Sequence, residues 1–212
     1  MSHADFSPQP GSHWGLLGGA FDPPHNWHLE LARKAMQSES LVGVAFLVSS
    51  IPPHKAQPSA SFTHRVEMLN THIEGISEFC VCDIEREIAP PGYTIRVVEK
   101  LQARFPEVEF SLIIGSDNLA ILEQWYEVDK LLKLVTVLIA KRPGGRSIIP
   151  EKWRDRIRFI PIEAHAISST AIRQNISDDE SVAKLTSPAV IDYIYEHGLY
   201  SAKPRENRDT RD

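Results

Sequence analysis

Six short apolar runs, at 14–18, 42–48, 79–84, 109–114, 134–140 and 156–160, read as buried strands. Between them apolar residues recur every three or four positions at 27–38, 62–74, 93–104 and 117–132, the period of an amphipathic helix. A last helix carries its own punctuation: Ser187 as N-cap, Pro188 at the first helical position, apolar Val190, Ile191 and Ile194, then Gly198 at the C-terminal cap. This alternation predicts an α/β fold, a doubly wound, mostly parallel sheet with helices on both faces, in a single domain over residues 13–200. The polar, charged segments 1–12 and 201–212 are predicted to be disordered tails.

Composition narrows the classes. A chain of 212 residues, 42% of them hydrophobic, can bury one substantial core. A net charge of −5 provides no global basic field, which argues against a nucleic-acid partner. No apolar run approaches the ~18 residues of a membrane span, and the N-terminus lacks the basic-then-apolar pattern of a signal peptide. Cys80 and Cys82 lie two apart on a predicted strand and point the same way, a poor arrangement for a mutual disulfide. They read as reduced thiols of a cytoplasmic protein. The nine histidines are scattered rather than clustered like metal ligands. A homo-oligomer is compatible with all of this, and nothing in the sequence selects its size.

The densest chemistry lies in residues 15–28, Gly-Leu-Leu-Gly-Gly-Ala-Phe-Asp-Pro-Pro-His-Asn-Trp-His. A strand runs into Gly18 and Gly19, which permit close approach to a ligand and positive φ. A Pro-Pro turn follows, then a helix whose first amides and positive dipole end suit a phosphate. His25 and His28, three apart, share one side of the first turn and can both donate to phosphate oxygens. The bland alternatives are a common strand–turn–helix with surface histidines, or a metal site, although the His-x-x-His spacing fits catalytic zinc poorly. The other unusual residues also follow strand ends: Ser49 to Lys55, Gly115-Ser116-Asp117, and Lys141-Arg142-Pro143-Gly144. One rim of the sheet, beyond the carboxyl ends of its strands, therefore collects the chemistry.

The run Gly18-Gly19-Ala20-Phe21-Asp22-Pro23-Pro24-His25-Asn26-Trp27-His28 resembles the signature of the nucleotidylyltransferase superfamily, with Trp27 where glycine is usual. Ile51-Pro52-Pro53-His54-Lys55, the helix with Arg65, Met68 and Leu69, and Pro91-Gly92-Tyr93-Thr94 are similar to patches of its nicotinate mononucleotide adenylyltransferase branch, with Gly92 in place of serine. So are Gly115-Ser116-Asp117-Asn118-Leu119 with Trp125, and Ile167-Ser168-Ser169-Thr170 with Arg173. Taken alone, several of these have plainer explanations: an exposed connector at 51–55, an N-cap at Thr94, core anchors at Trp125 and Tyr126, and ordinary caps at 168–170.

The resemblance implies a Rossmann-like fold and an enzyme joining ATP and nicotinate mononucleotide into deamido-NAD and pyrophosphate. It implies His25, His28 and Arg173 as catalytic groups. Gly18, Gly19, Ala20, Phe21, Lys55, Gly115, Arg142, Ser168, Ser169 and Thr170 fall on the ATP and phosphate side. Ser49, Tyr93, Thr94, Asp117 and Trp125 fall on the mononucleotide side, with the Trp125 indole offering a flat face to a pyridine ring. Mg²⁺ is implied as a companion of ATP with no dedicated protein ligands. Two other readings stand beside this one: a sister transferase for another phosphate substrate, such as nicotinamide mononucleotide, and a non-catalytic nucleotide-binding module.

Overall fold

The computed structural model describes residues 6–50, 57–140, 149–162 and 167–201. Its strands are β1 (His13–Gly19), β2 (Gly43–Val48), β3 (Phe79–Cys82), β4 (Glu109–Gly115), β5 (Thr136–Ala140) and β6 (Ile157–Ile160). They form one sheet in the order β3-β2-β1-β4-β5-β6, and every adjacent pair is parallel. The sheet expected to be mostly parallel is wholly so among the described residues. The order reverses between β1 and β4, whose carboxyl ends define the switch point.

Helices α1 (Asn26–Glu39), α2 (Phe62–Ile73), α3 (Thr94–Arg104), α4 (Ser116–Leu119), α5 (Val128–Leu134), α6 (Ser169–Ser177) and α7 (Pro188–Glu196) complete the frame. Alternating strand residues feed two cores. On one face Leu16, Leu112, Ile114, Val137 and Ile139 pack with Val98 and Leu101 of α3 and Leu131 of α5. On the other, Leu17, Phe46, Ile113 and Leu138 meet Leu31, Ala32 and Ala35 of α1 and Leu69 of α2. A third cluster, Met68, Ile172, Ile176, Val190 and Ile194, fastens α6 and α7 to α2. In α7, Ser187 accepts from the Val190 amide and Gly198 takes a φ of +59°, the left-handed turn its sequence position requires.

Three differences from the sequence reading have physical causes. The helix expected at 117–132 is broken: a short α4, a 3₁₀ turn at Leu122–Gln124, an extended Trp125, a left-handed Glu127, then α5. Its apolar residues keep helical spacing, and no Gly or Pro marks the break, yet the Trp125 side chain is carried to the sheet's functional rim. Gly18 and Gly19 do not adopt positive φ: they are the last residues of β1, and the left-handed residue of the turn is Phe21, at φ 50°. Gly19 is needed for space, since a Cβ there would stand 3.0 Å from the Phe21 ring. Phe6, within the segment assigned to a tail, packs its ring 5.2 Å from Trp14 and 5.4 Å from Phe105. The two thiols behave as read: Cys82 is buried and Cys80 half-buried, and burial pushes their pKa values up to about 11 and about 12.

One cation braces the rim. Arg65 of α2 is 1% exposed, and its guanidinium donates to the carbonyls of Ala60 (3.2 Å), Ala20 (2.7 Å), Ser49 (2.7 Å) and Ser50 (3.3 Å). It thus ties the loop after β1 to the loop after β2. Removing it leaves several buried carbonyls without donors. Arg65→Met is expected to lower stability by about 3 kcal/mol, a fall in melting temperature of roughly 6–12 °C. Thermal denaturation followed by circular dichroism checks this; an unchanged transition means that the contacts are dispensable.

Candidate active site

The carboxyl ends of β1, β2, β4 and β5 open into a cleft of about 750 Å³. Gly18, Gly19, Ala20, Phe21, His25, His28, Ser49, Tyr93, Thr94, Gly115, Asp117, Trp125, Ser168, Ser169, Thr170 and Arg173 all line it. Sixteen predicted positions from five separate stretches of sequence therefore meet in one cavity. Lys55 and Arg142 lie outside the described residues.

The floor begins with the turn after β1. Gly18 is exposed and a Cβ there would enter open space, so glycine keeps this stretch of backbone accessible. Phe21 plays a different part from the one expected. Its ring is 1% exposed and packs edge-on to His28 (4.8 Å between centroids) and Phe46 (5.7 Å), shaping the loop from below. His25 and His28 stack almost face to face, centroids 3.6 Å apart and planes 13° from parallel. His28 also caps α1: its Nδ1 accepts from the His25 amide at 3.1 Å, while the His28 amide donates to the His25 carbonyl at 2.9 Å. A ring nitrogen that accepts carries no proton, so His28 holds its proton on Nε2.

This cap alters the role expected for the helix end. The Asn26 amide donates to the Leu185 carbonyl and the His28 amide to His25, so these first-turn donors are engaged within the protein. The start of α6 offers a second set of polar groups. Ser168 is its N-cap, accepting from the Ala171 amide at 3.2 Å; Ser169 Oγ donates to the Pro23 carbonyl at 2.8 Å. Arg173, one turn on, donates through Nη1 to the Asp22 carbonyl at 2.6 Å and through Nη2 to Thr170 Oγ1 at 3.4 Å.

The other end of the cleft is aromatic. Tyr93 stacks on the exposed Tyr126 at 4.5 Å, and the Arg96 guanidinium lies over both rings. Trp125 is half-buried between the first core and the cleft, and its Nε1 has no hydrogen-bond partner among the described residues. Thr94 is the first residue of α3 rather than its N-cap, which falls on Tyr93 without a side-chain bond. Asp117 is exposed in the first turn of α4, whose N-cap is Gly115.

Sequence reasoning passed over three side chains that hold this rim. Asp22 is 3% exposed, and its carboxylate accepts from the amides of Ser59 (2.7 Å) and Ala60 (3.0 Å). Arg65 was visible only as part of a resembling helix. Glu85 accepts from the amide and hydroxyl of Ser50 at 2.8 and 3.0 Å; burial raises its pKa, and the two Ser50 bonds and Arg65 oppose that rise. Glu85 also explains Gly92, where a Cβ would lie 2.7 Å from its carboxylate oxygen. In sequence, Glu85 sits in an acid-and-base run that reads as a solvated face, and nothing there signals burial. Among the described residues no three His, Cys, Asp or Glu side chains converge as a metal cage.

The cytidylyltransferase-like family model matches residues 16–175. A probable nicotinate-nucleotide adenylyltransferase of Bacillus pumilus is 39% identical over 189 residues, covering 89% of this chain and 98% of that protein. The chain belongs to this family. The nicotinate-nucleotide adenylyltransferase of Bacillus subtilis is 34% identical with the same coverage. Among solved structures, the nicotinic acid mononucleotide adenylyltransferase of Plasmodium falciparum complexed with NaAD superposes with a TM-score of 0.74 at 22% identity. That superposition covers 91% of this chain and 98% of the other, and it establishes the shared fold.

The bond from the His25 amide separates two properties of His28. His28→Ala leaves that amide without its acceptor and should cost about 1 kcal/mol. His28→Gln keeps an acceptor at the same helical position and should retain the melting temperature while still losing the imidazole from the cleft. Thermal melts beside ATP titrations of both variants check this; equal destabilisation by Gln and Ala would contradict the capping role.

Proposed function

We propose that the protein joins ATP to nicotinate mononucleotide, releasing pyrophosphate and forming deamido-NAD. The observation that carries this reading is the polarity of one cleft. Its histidine, glycine and α6 groups suit phosphates, and its opposite end presents Tyr93, Thr94 and Trp125 to a flat, electron-poor ring. The activity named for its relatives has the same two requirements.

The chemistry follows from the substrates. The mononucleotide's 5′-phosphate oxygen attacks the α-phosphorus of ATP in line; a P–O bond forms as the bond to the β-phosphate bridging oxygen breaks, and pyrophosphate departs with the electron pair. The nucleophile is already an anion near neutral pH, so the protein's task is positioning and charge stabilisation. His28 serves through Nε2–H as a neutral donor to the α-phosphate oxygens, with His25 stacked behind it. Arg173, with Ser168, Ser169 and Thr170, addresses the leaving polyphosphate, where a planar guanidinium can bind two oxygens at once. Lys55 and Arg142 are assigned to the same end on the sequence resemblance alone. Magnesium would be held by triphosphate oxygens and water and would supply charge neutralisation on the departing pyrophosphate.

At the other end the Trp125 indole stacks on the pyridine, while Thr94 and Tyr93 supply donors to its carboxylate. Asp117, being an anion, belongs with ribose hydroxyls rather than with that carboxylate, and Ser49 borders the same subsite. ATP and the mononucleotide are thus the partners, and the cytoplasm, where free thiols such as Cys80 and Cys82 persist, is the compartment. Among the described residues no helix is long and apolar enough to cross a membrane.

Pyrophosphate release measured with both pyridine mononucleotides tests the reading. The expected kcat/KM preference for the nicotinate form is at least about tenfold, roughly 1.4 kcal/mol. His28→Ala should lower kcat by about 10²-fold with a much smaller change in the KM for ATP. Trp125→Ala should weaken both mononucleotides and leave ATP binding nearly unchanged. ATP binding without any pyrophosphate release would sink the assignment in favour of a nucleotide-binding module.

A further inference from the structure

We propose that Tyr200, in the turn after α7, is a positioning residue that keeps Arg173 available to the polyphosphate by occupying the carboxylate of Asp22. The inference rests on the reading above in one respect only, that Arg173 contacts polyphosphate.

The turn itself is unusual. Gly198 takes a φ of +59°, and the two non-glycine residues Tyr200 and Ser201 follow at +58° and +63°. Left-handed backbone at such residues is unfavourable and persists where the surroundings over-determine it. What the turn delivers is a contact across 178 residues of sequence: Tyr200 Oη donates to Asp22 Oδ1 at 2.7 Å. Burial, together with the adjoining carboxylate, raises the Tyr200 pKa, so the hydroxyl remains a donor throughout the physiological range.

The consequence lies in how Asp22 divides its partners. Its carboxylate receives three neutral donors: Tyr200 Oη, the Ala60 amide at 3.0 Å and the Ser59 amide at 2.7 Å. Arg173 Nη1 stands 3.7 Å from Oδ2, beyond hydrogen-bond range, and bonds instead to the Asp22 backbone carbonyl at 2.6 Å. Arg65, the other nearby cation, is committed to carbonyls of four residues. Once the phenolic donor is gone, Oδ1 keeps only the Ala60 amide, the buried carboxylate has lost one of its three neutral donors, and Arg173, already 3.7 Å from Oδ2, is the cation able to close on it. A guanidinium drawn into a tight pair with Asp22 is no longer poised for phosphate oxygens.

Tyr200→Phe keeps the ring that packs with the cluster of α2, α6 and α7 and removes only the hydroxyl. Steady-state kinetics on the full chain, with Tyr200→Phe, Arg173→Ala and the double variant, test the inference. Tyr200→Phe is expected to lower kcat about tenfold and raise the KM for ATP, with the KM for the mononucleotide within about twofold. In the Arg173→Ala background the same change should have less than a twofold kinetic effect, while lowering the melting temperature more than it does in the wild-type background, since no guanidinium is left to close on Asp22. A merely structural hydroxyl would give losses that multiply across the two sites. That result, or wild-type kinetics in Tyr200→Phe, overturns the proposal. Full activity in Arg173→Ala alone would instead remove the polyphosphate role of Arg173, so the two failures are distinguishable.

Discussion

The structure depends on satisfying the backbone of five residues, Ala20 to Pro24. This stretch leaves the sheet at the switch point and cannot use ladder hydrogen bonds, and its two prolines have no N–H to offer. Buried carbonyls must nevertheless find donors. Each donor comes from a side chain further along the sequence: Arg65 for Ala20, Arg173 for Asp22, Ser169 for Pro23 and Thr186 for Pro24. The histidine end of the cleft is therefore assembled by α2, α6 and the segment before α7 converging on one short loop. Asp22 adds the reverse contact, sending a carboxylate back to Ser59, Ala60 and Tyr200.

This arrangement accounts for the placement of charge in an acidic protein. Arg65 is buried for its geometry, reaching carbonyls on both sides of the β1–β2 rim. Glu85 sits nearby and fixes Ser50 at the end of the same β2 loop. Asp22 and Glu85 stand in the walls of the cleft with Arg65 bracing the loops behind them, and Asp117, His28 and Arg173 also line it. Electrostatic preorganisation of this kind is effective because the groups are already held before charge develops on the ligand.

Much of this was readable along the chain. All six strands and the helices α1, α2, α3 and α7 follow from periodicity and capping signals, because burying an apolar face is a local pattern with a global consequence. The cleft's lining was legible through glycine, histidine and hydroxyl residues at strand ends. The break at Trp125 was not, since Leu119, Leu122, Val128, Leu131 and Leu132 keep a helical period across it. Nor was the bond from the His25 amide to the His28 ring, which requires the backbone of α1 to be in place before that ring can accept it.

The sequence by itself determined the alternation of strand and helix, the parallel sheet, and the rim where reactive residues gather, because each is encoded within a few neighbouring positions. The tertiary structure alone decided which side chains support that rim. The contacts of Asp22, Arg65, Glu85 and Tyr200 exist only once distant segments meet. Their roles come from burial and from hydrogen bonds spanning as many as 178 residues, and no local pattern records those partners. Gly92 shows the same limit at one position, since its lack of a side chain makes sense only once Glu85 is seen to fill the space.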